Sequence, residues 1–213
     1  MNNTSLDDYN NPFDAIIDFE DALAKYTGAP YVVTTDCCTH AIELCFRYKQ
    51  YTNTELNTIT IPKRTYLSVP MTFKKLNIPY TLIDHNWRSE YNFGFTNVWD
   101  SARCLMPNMY KNGQMQCLSF GRTKPLEIGR GGAILLDDLD TYNWLKRASY
   151  DGRDLSYSPW QSQETFEVGY HYMIRPEECI LGLNKLNGNE VTNTHTHVYP
   201  DISKINLSAV NAQ

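Results

Sequence analysis

Residues 115–137, MQCLSFGRTKPLEIGRGGAILLD, place two short apolar runs on either side of a basic, glycine-rich loop. Met115–Phe120 and Ala133–Asp137 read as strands, and the residues from Gly121 to Gly132 as the loop between them. The pattern repeats outward from this stretch. Tyr31–Thr34, Thr58–Ile61, Tyr80–Asp84 and Thr96–Asp100 are further short strands. Residues 12–26, His40–Phe46, Ser68–Leu76, 138–148 and Arg175–Leu186 carry helical spacing. Gly28 stops the first of these helices, and Pro176-Glu177-Glu178 starts the last. Alternating strands and helices predict an α/β fold with a mostly parallel sheet.

The chain of 213 residues is 42% hydrophobic and 20% charged, enough for one domain with a sizeable core. Its net charge of −5 argues against a protein that mainly wraps nucleic acid or docks on anionic membranes. No apolar run approaches the roughly 20 residues of a membrane helix. The acidic, polar opening MNNTSLDDYNN lacks the basic-then-apolar layout of a secretory signal. The expectation is a soluble, cytoplasmic protein with no nucleic-acid or membrane partner. Residues 191–213 are rich in Asn and Thr and are expected to form a polar tail with little regular structure. The six cysteines form no C-x-x-C pair and read as small buried hydrophobes in a reducing compartment. His195 and His197 are the only close histidine pair and have no carboxylate nearby, so no metal site is expected.

In open α/β sheets, ligands bind beyond the carboxyl ends of the strands. Three such ends carry unusual residues. The turn Thr35–Thr39 leads into a helix, where backbone N–H groups and the Thr39 hydroxyl can hold a phosphate; a plain helix cap explains it equally well. Asp100 at a strand end can stabilise a cation such as a protonated ring nitrogen, or can serve as a cap or surface acid. Lys124 lies between Ser119-Phe120 and Gly129-Arg130-Gly131-Gly132, where a partly desolvated amine can act as a nucleophile; an isolated lysine is ordinarily a surface residue.

The order of these features resembles that in pyridoxal 5'-phosphate (PLP) enzymes of the aspartate aminotransferase fold. More narrowly, the chain is similar to the DegT/StrS family of PLP-dependent sugar aminotransferases. FEDALAKYTGAPYVVTTDCCTHAIELCF (19–46) resembles the family's opening helix, strand and phosphate turn, and TITIPKRTYLSVPMTFKKLNIPYTLID (58–84) the next two strands. VWDSARCL (98–105) resembles the aspartate block, CLSFGRTKPLEIGRGGAILLDD (117–138) the lysine block, and VGYHYMIRPEECILGLNKL (168–186) a later conserved-type segment.

The resemblance implies a three-layer sandwich, with residues 1–190 as the PLP-binding large domain. It implies amino transfer from an amino acid such as glutamate to a nucleotide-linked keto-sugar, in a homodimer with shared sites. Lys124 takes the Schiff-base position, Asp100 pairs with the pyridinium nitrogen, and Tyr66 is the aromatic that stacks on the ring. Thr39, Ser119 and the backbone around Cys38 fall at the phosphate positions. His171 stands at the Asn of a segment that reaches the partner subunit's cofactor. A lysine at position 124 separates the chain from the family's dehydratase branch, which carries His there.

The chain also departs from the family pattern. Cys37-Cys38-Thr39 replaces Ser-Gly-Thr, Arg103 replaces Gln, Gly121 replaces His and Met173 replaces Arg. The stretch between Asp84 and Val98 is too short for a strand–helix unit, and the C-terminal small domain is missing. Two other readings therefore stand beside the enzyme. One is a degenerate scaffold that binds PLP, a nucleotide-sugar or a partner chain without turnover. The other is a subunit whose missing lobe comes from a separate chain.

Overall fold

Ala15, Ile16, Phe19 and Leu23 fall on one face of helix α1 (Asp14–Thr27) and are buried, and Gly28 ends the helix at φ 78°. A computed structural model describes residues 3–57, 59–157, 159–193 and 198–205. After α1 come β1 (Tyr31–Thr35), α2 (Cys38–Tyr51), β2 (Ile59–Pro62), α3 (Ser68–Lys75) and β3 (Tyr80–Ile83). Then follow β4 (Tyr91–Asn92), β5 (Val98–Asp100), β6 (Met115–Ser119), β7 (Gly132–Leu136), α4 (Leu139–Ser149) and α5 (Pro176–Asn187). The α4 cap is local: the Asp138 carboxylate accepts the Thr141 N–H at 2.8 Å.

The main sheet runs β1-β7-β6-β5-β4, and β2 and β3 form a separate pair. Alternate residues of β7 face opposite layers. Ile134 and Leu136 pack with the core under α2, α3 and α4, whereas Ala133 and Leu135 pack with the core under α1 and α5. The three-layer α/β arrangement is the expected one. The sheet is mixed rather than uniformly parallel: β5–β6 and β2–β3 are parallel, while β7 is antiparallel to both neighbours and β4 to β5. The short 93–97 turn brings β5 back antiparallel to β4, whereas the two helix-free segments 101–114 and 120–131 end differently: the first crosses over to set β6 parallel to β5, and the second turns β7 back against β6. Strand β4, with Tyr91 fully buried, occupies the shortened 84–98 stretch where no strand was foreseen.

Among the described residues from 191 to 205 the regular element is a 3-10 turn at Ile202–Lys204, and several of these residues are held against the rest of the fold. The Thr192 N–H donates to the Pro125 carbonyl, the Asn193 side chain bonds both the N–H and C=O of Leu105, and Ile202 is buried. Among the described residues no helix is long and apolar enough to cross a membrane. All six cysteines are free, and Cys37 alone is not buried. Thr58 and the pair His195 and His197 lie outside the described residues.

Candidate active site

Strands β1, β5 and β6 share one direction, so their carboxyl ends open on the same side of the sheet. There they border a cavity of about 400 Å³, within the size range of small-molecule sites. Cys38, Thr39, Tyr66, Asp100, Ser119 and Lys124 all line it.

At one end stands the N-terminus of α2. Its cap residue, Cys37, makes no side-chain cap bond, and the helix dipole favours an anion in front of the first turn. The Thr39 hydroxyl lies 2.7 Å from that of Ser68, so two hydroxyls meet beside this turn. Cys38 stands where the family pattern has glycine, but its thiol turns to the Cys117 carbonyl at 3.7 Å. Burial pushes that thiol well above its ordinary range, as befits a packing residue. The close backbone approach falls instead on Gly132, where a Cβ would lie 2.5 Å from the Cys38 nitrogen and 2.6 Å from the Cys37 carbonyl carbon.

Asp100 ends β5 and is 4% exposed. Its carboxylate accepts the Ala102 N–H at 3.0 Å and the Tyr91 hydroxyl at 2.8 Å. Burial raises its pKa above the ordinary carboxylate value, while these two bonds and the charge of Lys124 oppose the rise. A cation in the cavity would favour the ionised form. Lys124 is half-buried and follows Thr123, whose left-handed φ of 66° turns the chain there. Its Nζ lies 3.4 Å from the Tyr199 hydroxyl. The donor set fits PLP: an amine, a buried carboxylate facing it, and a helix N-terminus with hydroxyls for the phosphate.

His171 is not in this cavity. Its side chain is 80% exposed and pairs with Asp151 at 3.0 Å. It borders another cavity with Asp36, whose carboxylate is already engaged by His40 at 2.5 Å and Arg130 at 2.6 Å. Thr65, Ser68, Trp87, Tyr91 and Tyr199, which complete the site and its support, had no distinguishing local pattern.

The three-layer α/β fold is that of PLP-dependent transferases, and a strand-end acid and a loop lysine border one cavity in it. The DegT/DnrJ/EryC1/StrS aminotransferase family profile matches residues 7–89 and 108–207, and the chain belongs to that family. The match skips the stretch containing Asp100, whose place at the site rests on the geometry above. Among curated proteins no sequence matches the chain.

Solved structures share the fold. A sugar aminotransferase from Micromonospora echinospora superposes with a TM-score of 0.68 at 16% identity, over 81% of this chain and 60% of that one. The Helicobacter pylori aminotransferase PseC, involved in the biosynthesis of pseudoaminic acid, gives 0.66 at 16% identity, over 81% and 57%. A GDP-4-keto-6-deoxymannose-3-dehydratase gives 0.66 at 13% identity, over 82% and 60%. The chain thus spans about three-fifths of the length of these structures.

Proposed function

We propose that this chain is a PLP-dependent aminotransferase that moves an amino group from an amino acid, glutamate being the expected donor, to a nucleotide-linked keto-sugar. The observation that carries the proposal is the joint presence of Lys124 and Asp100 on one cavity with the α2 N-terminus. Bound there, PLP would supply an electron sink for the carbon that bears the amino group. Asp100 would hold the positive charge of the ring nitrogen, and the first turn of α2 with Thr39 and Ser119 would hold the phosphate. Tyr66 would cover one ring face. The Lys124 Nζ would take the proton from the donor's α-carbon and return it on the far side of the electron sink. Arg122 also lines the cavity and offers a guanidinium to the donor carboxylate.

Sugar substrates are supported by the family and by two of the structural relatives named above. We further propose a homodimer in which His171 serves the partner's site, a role that suits its exposure and its distance from its own cavity. A cytoplasmic location suits the free cysteines.

The test is spectroscopic. PLP added to the purified protein should give the absorbance band of lysine-bound cofactor, and Lys124→Ala should abolish it. Glutamate should then bleach the wild-type band. A wild-type protein that never develops the band overturns the aminotransferase and leaves the scaffold reading. A band that glutamate does not change restricts the function to binding with this donor.

A further inference from the structure

Tyr199 lies at the cavity with its hydroxyl 3.4 Å from the Lys124 Nζ. Its ring stacks on Trp87 at 5.7 Å with 23° between planes, and meets Tyr66 edge-on at 6.4 Å. Trp87 is fixed in turn by its indole N–H, which donates to the Arg64 carbonyl at 2.7 Å. Three residues beyond Tyr199, Ile202 is 1% exposed and its N–H donates to the Lys63 carbonyl at 2.8 Å. Lys63 and Arg64 belong to the loop that carries Tyr66. Residues 198–205 therefore join the Tyr66 side of the cavity to the Lys124 side.

We infer that Tyr199 is a positioning residue for Lys124, carried on a strap of residues 198–205 that covers the site. The inference rests on the proposed role of Lys124. An unrestrained lysine amine samples many rotamers on a four-carbon stem, and holding it in one place costs much of that freedom. A phenol anchored by its ring at hydrogen-bond reach limits the amine to the cavity whenever it is not bonded to cofactor. The stacked rings of Trp87 and Tyr199, with Tyr66 edge-on to Tyr199, stand between Lys124 and the loop that carries Tyr66. A tyrosine that merely packs on a tryptophan satisfies the first of these contacts but has no reason to aim its hydroxyl at Nζ.

The ring and the hydroxyl can be separated experimentally. In the cofactor-free protein, an amine-acylating reagent reports access to Lys124 by mass spectrometry, with the exposed Lys74 as internal reference. Tyr199→Ala should raise Lys124 labelling about tenfold, and Tyr199→Phe, which keeps the ring, only two- to threefold, about the range of a local opening. With PLP added, Tyr199→Phe should retain cofactor as the wild type does but form its absorbance band more slowly. Tyr199→Ala should both form it slowly and lose cofactor quickly on dilution. Unchanged labelling in both variants overturns the strap. Wild-type band kinetics in Tyr199→Phe overturn the positioning role. Faster labelling in Tyr199→Ala, in a protein whose wild type never forms the band, upholds the strap and defeats the cofactor reading instead.

Discussion

The Asp100 carboxylate accepts the Tyr91 phenol at 2.8 Å, and that phenol lies 2.7 Å from the Thr65 hydroxyl. Because Tyr91 spends its only proton on Asp100, Thr65 must donate to the Tyr91 oxygen. A three-member relay thus runs from the loop before α3, through β4, to the end of β5, with every member buried. It fixes the orientation of a carboxylate whose pKa burial raises and the Tyr91 bond lowers, and it ties the short strand β4 to the end of β5.

Tyr91→Phe removes the middle of this relay while keeping the ring against Phe93 and Trp87. Two buried polar groups lose a partner, so unfolding should cost about 1–3 kcal/mol less than in the wild type. Urea denaturation measures this. An unchanged midpoint would mean that the relay contributes nothing.

Asp100→Asn keeps the shape and one acceptor oxygen but cannot carry the charge that faces Lys124. The protein should fold, and the rate of the half-reaction with glutamate should drop by about a hundredfold or more. Stopped-flow absorbance follows it. A wild-type rate in Asp100→Asn would refute the assignment of this acid to the ring nitrogen.

What could be read from the sequence follows from how local each signal is. The Gly28 stop, the helical spacing of 138–148 and the apolar run of β7 act within a few residues, so α1, α4 and β7 stand where their spacing puts them. The direction of β7 is different: its own residues do not encode it, and a helix-free loop of this length can turn back, as 120–131 does, or cross over, as 101–114 does between the parallel β5 and β6. Asp100 and Lys124 stood out as strand-end and loop residues where α/β sheets place ligands, and the resemblance to the family gave them and Ser119 their expected roles; the structure brings all three to one cavity. Tyr91 and Tyr199 did not stand out. Tyr91 sits in a two-residue strand too short to show alternation, and Tyr199 acts across 75 residues from a segment whose polar composition suggests no packing role.

Gly132 and Gly121 bracket the glycine-rich loop and should respond oppositely to a methyl group. A Cβ on Gly132 would meet the backbone of Cys37 and Cys38 within 2.6 Å, and neither β7 nor α2 can retreat from the sheet core. Gly132→Ala should destabilise the protein by about 3 kcal/mol or more, or prevent folding. A Cβ on Gly121 would have only the Ser119 hydroxyl, 3.8 Å away, so Gly121→Ala should leave the unfolding midpoint nearly unchanged. Equal effects at the two positions would show that β7 does not press on the first turn of α2 as described.

His40 makes the stability depend on pH. Its ring stacks on Tyr172 at 3.7 Å and bonds the Asp36 carboxylate at 2.5 Å. Burial alone would drive its pKa down, but the bonds to Asp36 and Cys37 and their charge outweigh burial and raise it from 6.5 to about 9. The folded state therefore keeps a proton that the unfolded chain gives up. The resulting stability is complete below about pH 6.5 and drains away as pH rises through about 9. Asp36 works at the other end: His40 and Arg130 outweigh burial and hold its carboxyl below 3.8, so its contribution is lost only as pH falls beneath that value. Urea midpoints measured from pH 6 to 9.5 should decline, and His40→Gln should flatten the decline. A wild-type slope that persists in His40→Gln would assign the alkaline loss to some other group.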